Sequence, residues 1–552
     1  MQKGYLRKFN WVIIPLLFLL YSSPGALDYL FHFPDEKYYT DAVLQMMDKD
    51  DYFTPYKADG APRFLKPIVT YWVLIGSYKV LGVSKFSSRL LFWLAGALLV
   101  IVVFFMAKSL TQNRKLASTA AFVTAANPLV LMSASRSIPD ILLVLFLTIS
   151  VWGFLEIMLR GNPPPKYYWM AYLGAALAFE TKGLPAAAFA GASVLFLLLN
   201  PWKRKKIREI IHWPAIIISV AIALSWFVIM YIEHGTTYLE SFYTDQVGGR
   251  VSSKIGQVIT NTLLGIVNLV AFSLPWIIIA FSKPQKLKAF ISGSGKEAKA
   301  ILGFIATWVV LVIIMSGAVF KFYDRYLLPV IPLVALFFAW IATQAETRFQ
   351  KPVLKIFLTL TLVTFVINLL YAVFIFPDIT LVAGTAISAV FIALYFAGGF
   401  KNSPAEIVLA NGILLLYFNV LVLLYPILMP NPGEQMVDAL NAEGVANDQK
   451  VYVYGNIRTA SNIRIHCHHE FDVVSMDTVY TLPAEPRHFL VFTEKEQKYL
   501  DLKSYEIFNY SQGWSRVPAE KFPELLKDAV IKLKESRTKY FIAKPKSNKN
   551  DQ

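Results

Sequence analysis

Residues 34–67 place Pro34-Asp35-Glu36, Tyr39, Arg63 and Lys66-Pro67 in one polar loop, directly after the first apolar segment of a strongly apolar chain. A carboxylate facing a water-lined cavity can take a proton from an acceptor hydroxyl or hold that acceptor in line. Lysine and arginine at the level of lipid headgroups can neutralise a phosphate as a bond to it breaks. Acids, a phenol and cations gathered at a membrane face therefore point to chemistry on a charged, lipid-borne substrate. Asp140 adds a further acid, in Ser137-Ile138-Pro139-Asp140 ahead of the apolar run Ile141–Leu147. More cations fall on the same side of the expected topology: Lys182 in Glu180-Thr181-Lys182-Gly183, Arg250, and Lys321 with Arg325. Each has a plainer reading, since an acid at a helix start is favoured by the helix dipole whatever else it does. Dispersed cations can equally be solvated or bind headgroups.

The elements that must position these residues are membrane-spanning helices. The chain has 552 residues, of which 56% are hydrophobic and 15% aromatic, and its mean hydropathy is +0.49. That composition excludes an ordinary soluble enzyme and implies a polytopic α-helical membrane protein. Apolar runs long enough to span occur near residues 11–31, 88–107, 116–134, 139–158, 167–181, 184–200, 212–232, 263–281, 300–318, 327–343, 354–376, 379–397 and 406–428. These predict about thirteen transmembrane helices. The basic start, Lys3, Arg7 and Lys8, reads as the cytoplasmic flank of a retained anchor. The alternate loops on that side carry Lys108/Arg114/Lys115, Arg160/Lys166, Lys203–Lys206 and Arg348/Lys351/Lys355, as the positive-inside rule requires. The net charge of +16 is thus spent on orientation, and nucleic-acid binding is not expected.

On the outer side fall residues 32–87, 234–262, 319–326 and the tail from about 430. Two amphipathic helices are predicted in the first outer loop. One starts at Asp35, with Tyr39, Val43 and Met46/Met47 on its apolar side and Lys37, Thr40 and Asp41 away from it; the other runs from Pro67 to Gly82. The chain divides into a membrane domain, 1–429, and a soluble α/β domain, 430–552. In the latter, Gln435–Asn441 reads as a helix, and Val451–Tyr454, Phe471–Val474, Phe489–Phe492 and Tyr540–Ala543 read as strands. His466-Cys467-His468-His469 reads as a surface strand rather than a metal site, because alternating side chains would point to opposite faces. The lone Cys467 leaves no intramolecular disulfide.

Taken in order, Pro34-Asp35-Glu36-Lys37-Tyr38-Tyr39, Arg63-Phe64-Leu65-Lys66-Pro67, Ser87-Ser88-Arg89-Leu90, Pro139-Asp140, Thr181-Lys182-Gly183 and Tyr326-Leu327-Leu328-Pro329 resemble the GT-C glycosyltransferases. The likeness is greatest to the aminoarabinose transferases of lipid A, themselves related to protein O-mannosyltransferases, and it runs across residues 1–430. The resemblance implies a GT-C fold and transfer of a sugar from a polyprenyl-phosphate carrier, with inversion, to a lipid, glycan or protein acceptor. The membrane would be the bacterial inner membrane, with the site facing outward. It further implies catalytic carboxylates at Asp35, with its neighbour Glu36, and at Asp140. The residues holding the carrier phosphate would be Tyr39, Lys66, Lys182, Arg250 and Tyr326. A divalent metal is compatible with the family, but its ligand positions are unmatched: Leu65 stands where an acid precedes the loop lysine, and no histidine accompanies Asp245-Gln246. Tyr38 replaces an arginine before the loop tyrosine, which sets lipid A in doubt as the acceptor. The competing readings are a transporter or flippase of a lipid-linked sugar and a noncatalytic envelope assembly protein.

Overall fold

A computed structural model describes residues 10–27, 34–57, 60–244, 254–281, 284–344, 350–374, 379–398, 405–424, 433–455, 457–477, 479–510 and 539–546. Lipid offers no partner to backbone N–H and C=O groups, so apolar runs must close their hydrogen bonds internally as helices. A helix, or a pair broken at one point, stands at each of the thirteen expected positions. Among the described residues nine helices are long and apolar enough to cross a membrane, or ten if the bent pair Arg114–Ala125 and Pro128–Ala134 is one span. The count of thirteen is therefore not reached on length and composition. Leu184–Leu199 and Leu381–Phe396 are apolar but shorter. The bent pair turns by 62° where the Asn127 side chain accepts from the Leu129 amide at 3.0 Å and Pro128 opens the new helix.

Asp140–Leu159 is the most enclosed span, while Trp213–Tyr243 and Ile255–Phe272 leave most of their apolar surface on the outside of the bundle. Asp140–Leu159 crosses Pro165–Lys182 with almost nothing between the two backbones. A Cβ on Gly153 would lie 2.4 Å from the Ala171 nitrogen, and one on Gly174 would lie 2.9 Å from the Phe146 carbonyl oxygen. Close approach through small residues is how helices associate where lipid removes the hydrophobic driving force. Ser150 Oγ donates across the same contact to Ala171 O at 2.6 Å. The short connection through residues 160–164 makes the two helices antiparallel, so the start of one, Asp140, lies beside the end of the other, Lys182.

At that end of the bundle the first loop is ordered by two helices, Pro34–Asp48 and Val69–Leu81. Tyr39, Val43 and Met46 are buried as the periodicity predicts, and so are Tyr71, Leu74, Ile75 and Tyr78 of the second helix. The expected polar side of the first helix is not solvated. Lys37, Thr40 and Asp41 are at most 5% exposed, Asp41 because Arg464 of the C-terminal region pairs with it. The Lys85–Thr111 span then begins at a reciprocal cap: Ser84 Oγ accepts from the Ser87 amide and Ser87 Oγ from the Ser84 amide, both at 3.0 Å.

The C-terminal sheet is five-stranded. β1 (Lys450–Tyr454), β2 (Asp472–Asp477), β3 (His488–Thr493), β4 (Tyr505–Tyr510) and β5 (Tyr540–Pro545) lie in the order β2-β1-β3-β5-β4. β1 is parallel to β2 and β3, and β5 is antiparallel to β3 and β4. Helix Ile457–His466 links β1 to β2 as a parallel crossover, and helix Gly433–Ala442 precedes the sheet. Val451, Val453, Phe489, Val491 and Ile542 supply the core with Leu440 and Ile463. The sequence reading missed β4 and helix Ile457–His466. His466–His469 is not a strand: the helix ends at His466, and His468 and His469 turn the chain at φ of 52° and 62°. The expected boundary at 429/430 falls in 425–432, outside the described residues.

Candidate active site

Pro34 opens a helix whose first turn carries Asp35 and Glu36, where carboxylates are favoured by the dipole. Successive residues differ by about 100° around a helix, and the two acids diverge completely. Glu36 is 0% exposed and lies in the fork of Arg89: Nε and Nη2 donate to its two carboxylate oxygens, each at 2.9 Å. The Ser137 amide donates to Oε1 at 3.0 Å, and Ser137 Oγ at 3.3 Å. Asp35 turns outward, and its Oδ2 is 2.5 Å from Arg325 Nη2.

Arg325 joins the two acids that the sequence separates by 105 positions, since its Nε lies 3.9 Å from Asp140 Oδ2. The other Asp140 oxygen is 2.5 Å from Lys182 Nζ. Lys182 closes its helix, where a cation suits the dipole, and Gly183 makes the turn at φ +76°. An unbroken line, Asp35–Arg325–Asp140–Lys182, thus crosses the end of the bundle. Lys66 is buried within electrostatic reach of Asp140. The Tyr326 ring lies 5.4 Å from Lys182 Nζ.

Tyr39 is buried against Tyr71, ring centroids 5.3 Å apart, with the Arg63 guanidinium 5.3 Å from its ring. Burial first, then Tyr71, holds the Tyr39 phenol well above its ordinary pKa; Arg63 opposes this, while Asp140 and Asp35 add to it. Tyr39 therefore presents a protonated O–H, able to donate. Arg63 itself is fixed by an Nη1 bond to Tyr38 O at 2.7 Å.

Of the sequence candidates, Asp35, Asp140, Lys66, Lys182, Tyr39 and Tyr326 converge on this region. Glu36 is turned away into the Arg89 fork, and Arg250 lies outside the described residues. Arg325 is the group missing from the expected site. Its signal was present, as a cation on a side where cations are depleted, but Lys321 carries the same signal and is exposed. Among the described residues no three His, Cys, Asp or Glu side chains are grouped to hold a metal ion.

Residues 65–229 match the family model described as dolichyl-phosphate-mannose-protein mannosyltransferase, a stretch that contains Lys66, Asp140 and Lys182. An uncharacterised protein of Aquifex aeolicus is 26% identical over 242 residues, 44% of this chain and 47% of that one. The undecaprenyl phosphate-alpha-4-amino-4-deoxy-L-arabinose arabinosyl transferase of Pectobacterium carotovorum is 26% identical over 349 residues, 62% of this chain and 60% of that one. The chain thus matches about half to three fifths of the length of these curated relatives. In three dimensions it is similar over 98% of both chains to the crystal structure of ArnT from Cupriavidus metallidurans bound to undecaprenyl phosphate, with a TM-score of 0.70 and 15% identity. The apo form of that protein gives 0.64. The chain is a polytopic membrane protein of the GT-C fold, and it resembles the aminoarabinose transferases and, over residues 65–229, the protein mannosyltransferases.

Proposed function

We propose that this protein is an integral-membrane glycosyltransferase. It moves a sugar from a polyprenyl-phosphate carrier to a lipid, glycan or protein acceptor, with inversion, on the outer face of the bacterial inner membrane. The observation that carries this reading is the line Asp35–Arg325–Asp140–Lys182 at one end of the bundle, with Lys66 and Tyr39 beside it. In the reaction an acceptor oxygen bonds to the anomeric carbon as that carbon's bond to the phosphate oxygen breaks. The carrier leaves as polyprenyl phosphate with both electrons of that bond, and the acceptor proton passes to a carboxylate. A phosphate leaving group needs its charge neutralised rather than a proton, so alignment and cation contacts carry the catalysis.

Asp35, the half-exposed acid of the line, is the acceptor's base. Asp140 is the buried acid that holds Lys182 and Arg325 in place. Lys66, Lys182, the Tyr39 hydroxyl and Tyr326 receive the phosphate, and Arg250 is retained as a further phosphate contact. Glu36 pins the helix that presents Asp35. The relatives support the carrier class, one being named for an undecaprenyl-phosphate sugar and another solved with undecaprenyl phosphate. Residues 430–552 form a separate unit on the same outer face, with 1–429 as the membrane domain. A transporter would need ionisable groups near mid-span and broken helices there, whereas the acids of this site stand at helix starts.

The test is purified protein in lipid with a polyprenyl-phosphate sugar and a candidate acceptor mixture. Transfer by the wild type, reduced about 10²- to 10⁴-fold in Asp35→Asn with an unchanged melting curve, is expected. Flipping of the lipid-linked sugar without any cleavage of its phosphate bond would overturn the reading.

A further inference from the structure

The helix Pro34–Asp48 is held from both sides by arginines of different parts of the chain, Arg89 fully buried and Arg464 largely so. On one side Arg89, from the Lys85–Thr111 span, grips Glu36. On the other, Arg464, from helix Ile457–His466 of the C-terminal sheet region, pairs through Nη1 with Asp41. Asp41 is 5% exposed, and its second oxygen accepts from Ser461 Oγ at 3.4 Å. Arg464 is itself fixed, because Nε donates to the Val473 carbonyl at 3.2 Å and Nη2 donates to the same oxygen. The fork is thereby built into the sheet rather than hung on a free side chain. Glu36 and Asp41 are five residues apart, so they lie roughly 140° apart around the helix and about 7.5 Å apart along it. One such anchor leaves a helix free to pivot; two on opposing faces set both its rotation and its tilt. The seam continues to the far end of the same helix, where His469 Nε2 lies 3.2 Å from Asp48 Oδ1. It also reaches the next loop, where His468 Nδ1 donates to Val83 O at 2.8 Å.

We propose that Arg464 is a positioning residue for sugar transfer: the C-terminal domain, through the Arg464–Asp41 pair, sets the orientation in which the helix presents Asp35 to the acceptor. This rests on the transferase reading above. Of the donor contacts assigned above, Lys66, Lys182 and Tyr326 come from other elements, and Tyr39 alone shares the helix with Asp41. Loss of the Arg464–Asp41 pair should therefore lower turnover far more than it weakens donor binding.

The experiment uses the full-length protein in lipid nanodiscs, with kcat and donor KM measured for wild type, Arg464→Met and Arg464→Lys, and amide hydrogen exchange followed over residues 34–48. Arg464→Met is expected to lower kcat by about ten- to a hundredfold, the scale of a small misplacement of reacting groups. Donor KM should rise by much less than kcat falls, since Tyr39 alone of the donor contacts is on this helix, and exchange in 34–48 should quicken. Arg464→Lys keeps the charge without the fork and should recover part of both effects. Unchanged kcat in Arg464→Met, or a rise in donor KM that matches the fall in kcat, overturns the proposal. If the wild type binds the carrier but transfers nothing, the transferase reading fails by itself. The exchange data then decide the coupling, and unchanged exchange in Arg464→Met overturns it.

Discussion

Glutamine in place of Glu36 separates an acid that builds the site from one that works in it. The carboxylate accepts four hydrogen bonds, two from Arg89 and two from Ser137, and the facing side chains are 0% and 1% exposed. In Glu36→Gln one oxygen becomes an NH₂ donor. The Ser137 bonds and Arg89 Nε together engage Oε1, so the amide nitrogen must face Arg89 Nη2, donor against donor. Arg89 then keeps its charge in a dry site with half its fork opposed. A neutral hydrogen bond lost at the surface costs about 1 kcal/mol, but breaking one side of a buried pair costs about 3–5 kcal/mol. That is a large share of a total stability of roughly 5–15 kcal/mol. We expect a clear fall in the melting temperature of detergent-solubilised Glu36→Gln, with transfer per folded molecule within a few-fold of wild type. Arg89→Met should cost a similar amount. The double substitution should cost less than the sum by about 0.5–3 kcal/mol, since the second change removes the stranded charge. A normal melting curve with lost transfer, or strictly additive single effects, would refute this assignment and return Glu36 to the reacting groups.

Lys66→Ala should lower transfer about a hundredfold, the scale of a lost transition-state donor; Lys66→Arg should recover part of the loss, and Lys57→Ala, an exposed control in the same loop, should leave transfer near wild type, whereas equal small effects at 57 and 66 would remove Lys66 from the phosphate site. His466 is held down to about pH 4 by burial and by the neighbouring charges of Lys85, His468 and Arg89. The unfolded chain therefore takes up a proton near pH 6.5 that the folded chain refuses, and stability present above that pH should be lost progressively as pH falls toward 4. Melting temperature measured from pH 7 to 5 should drop, and His466→Asn should flatten the slope; an unchanged slope would show that His466 titrates freely. Cys467 is 1% exposed and its thiol is pushed up by burial, so an impermeant maleimide should ignore it. A cysteine at the exposed Lys503 should be labelled in intact spheroplasts if the C-terminal region faces outward, and labelling only after lysis would invert the topology.

The sequence by itself determined where the apolar helices lie, though not how many of them span, together with the two loop helices and most of the strands, because these depend on local rules. A run of apolar side chains must become a helix in lipid wherever it sits, and the periodicity of Tyr39, Val43 and Met46 is enough to place a helix face. It also determined that acids and cations of the right kinds stand at helix ends on one side. Tertiary structure alone decided which of them meet. Asp35 and Glu36 are adjacent and chemically alike, yet a turn of about 100° sends one to Arg325 and the other to Arg89. Arg325 and Lys321 were equivalent until the fold placed one between two carboxylates and left the other in the open. Asp41 looked like part of a solvated face, and it is buried because Arg464, 423 positions later, covers it. Ion pairs of this range leave no local signature: a charge pays for burial only when its partner arrives, and the partner's position is set by how the helices and the sheet pack against one another.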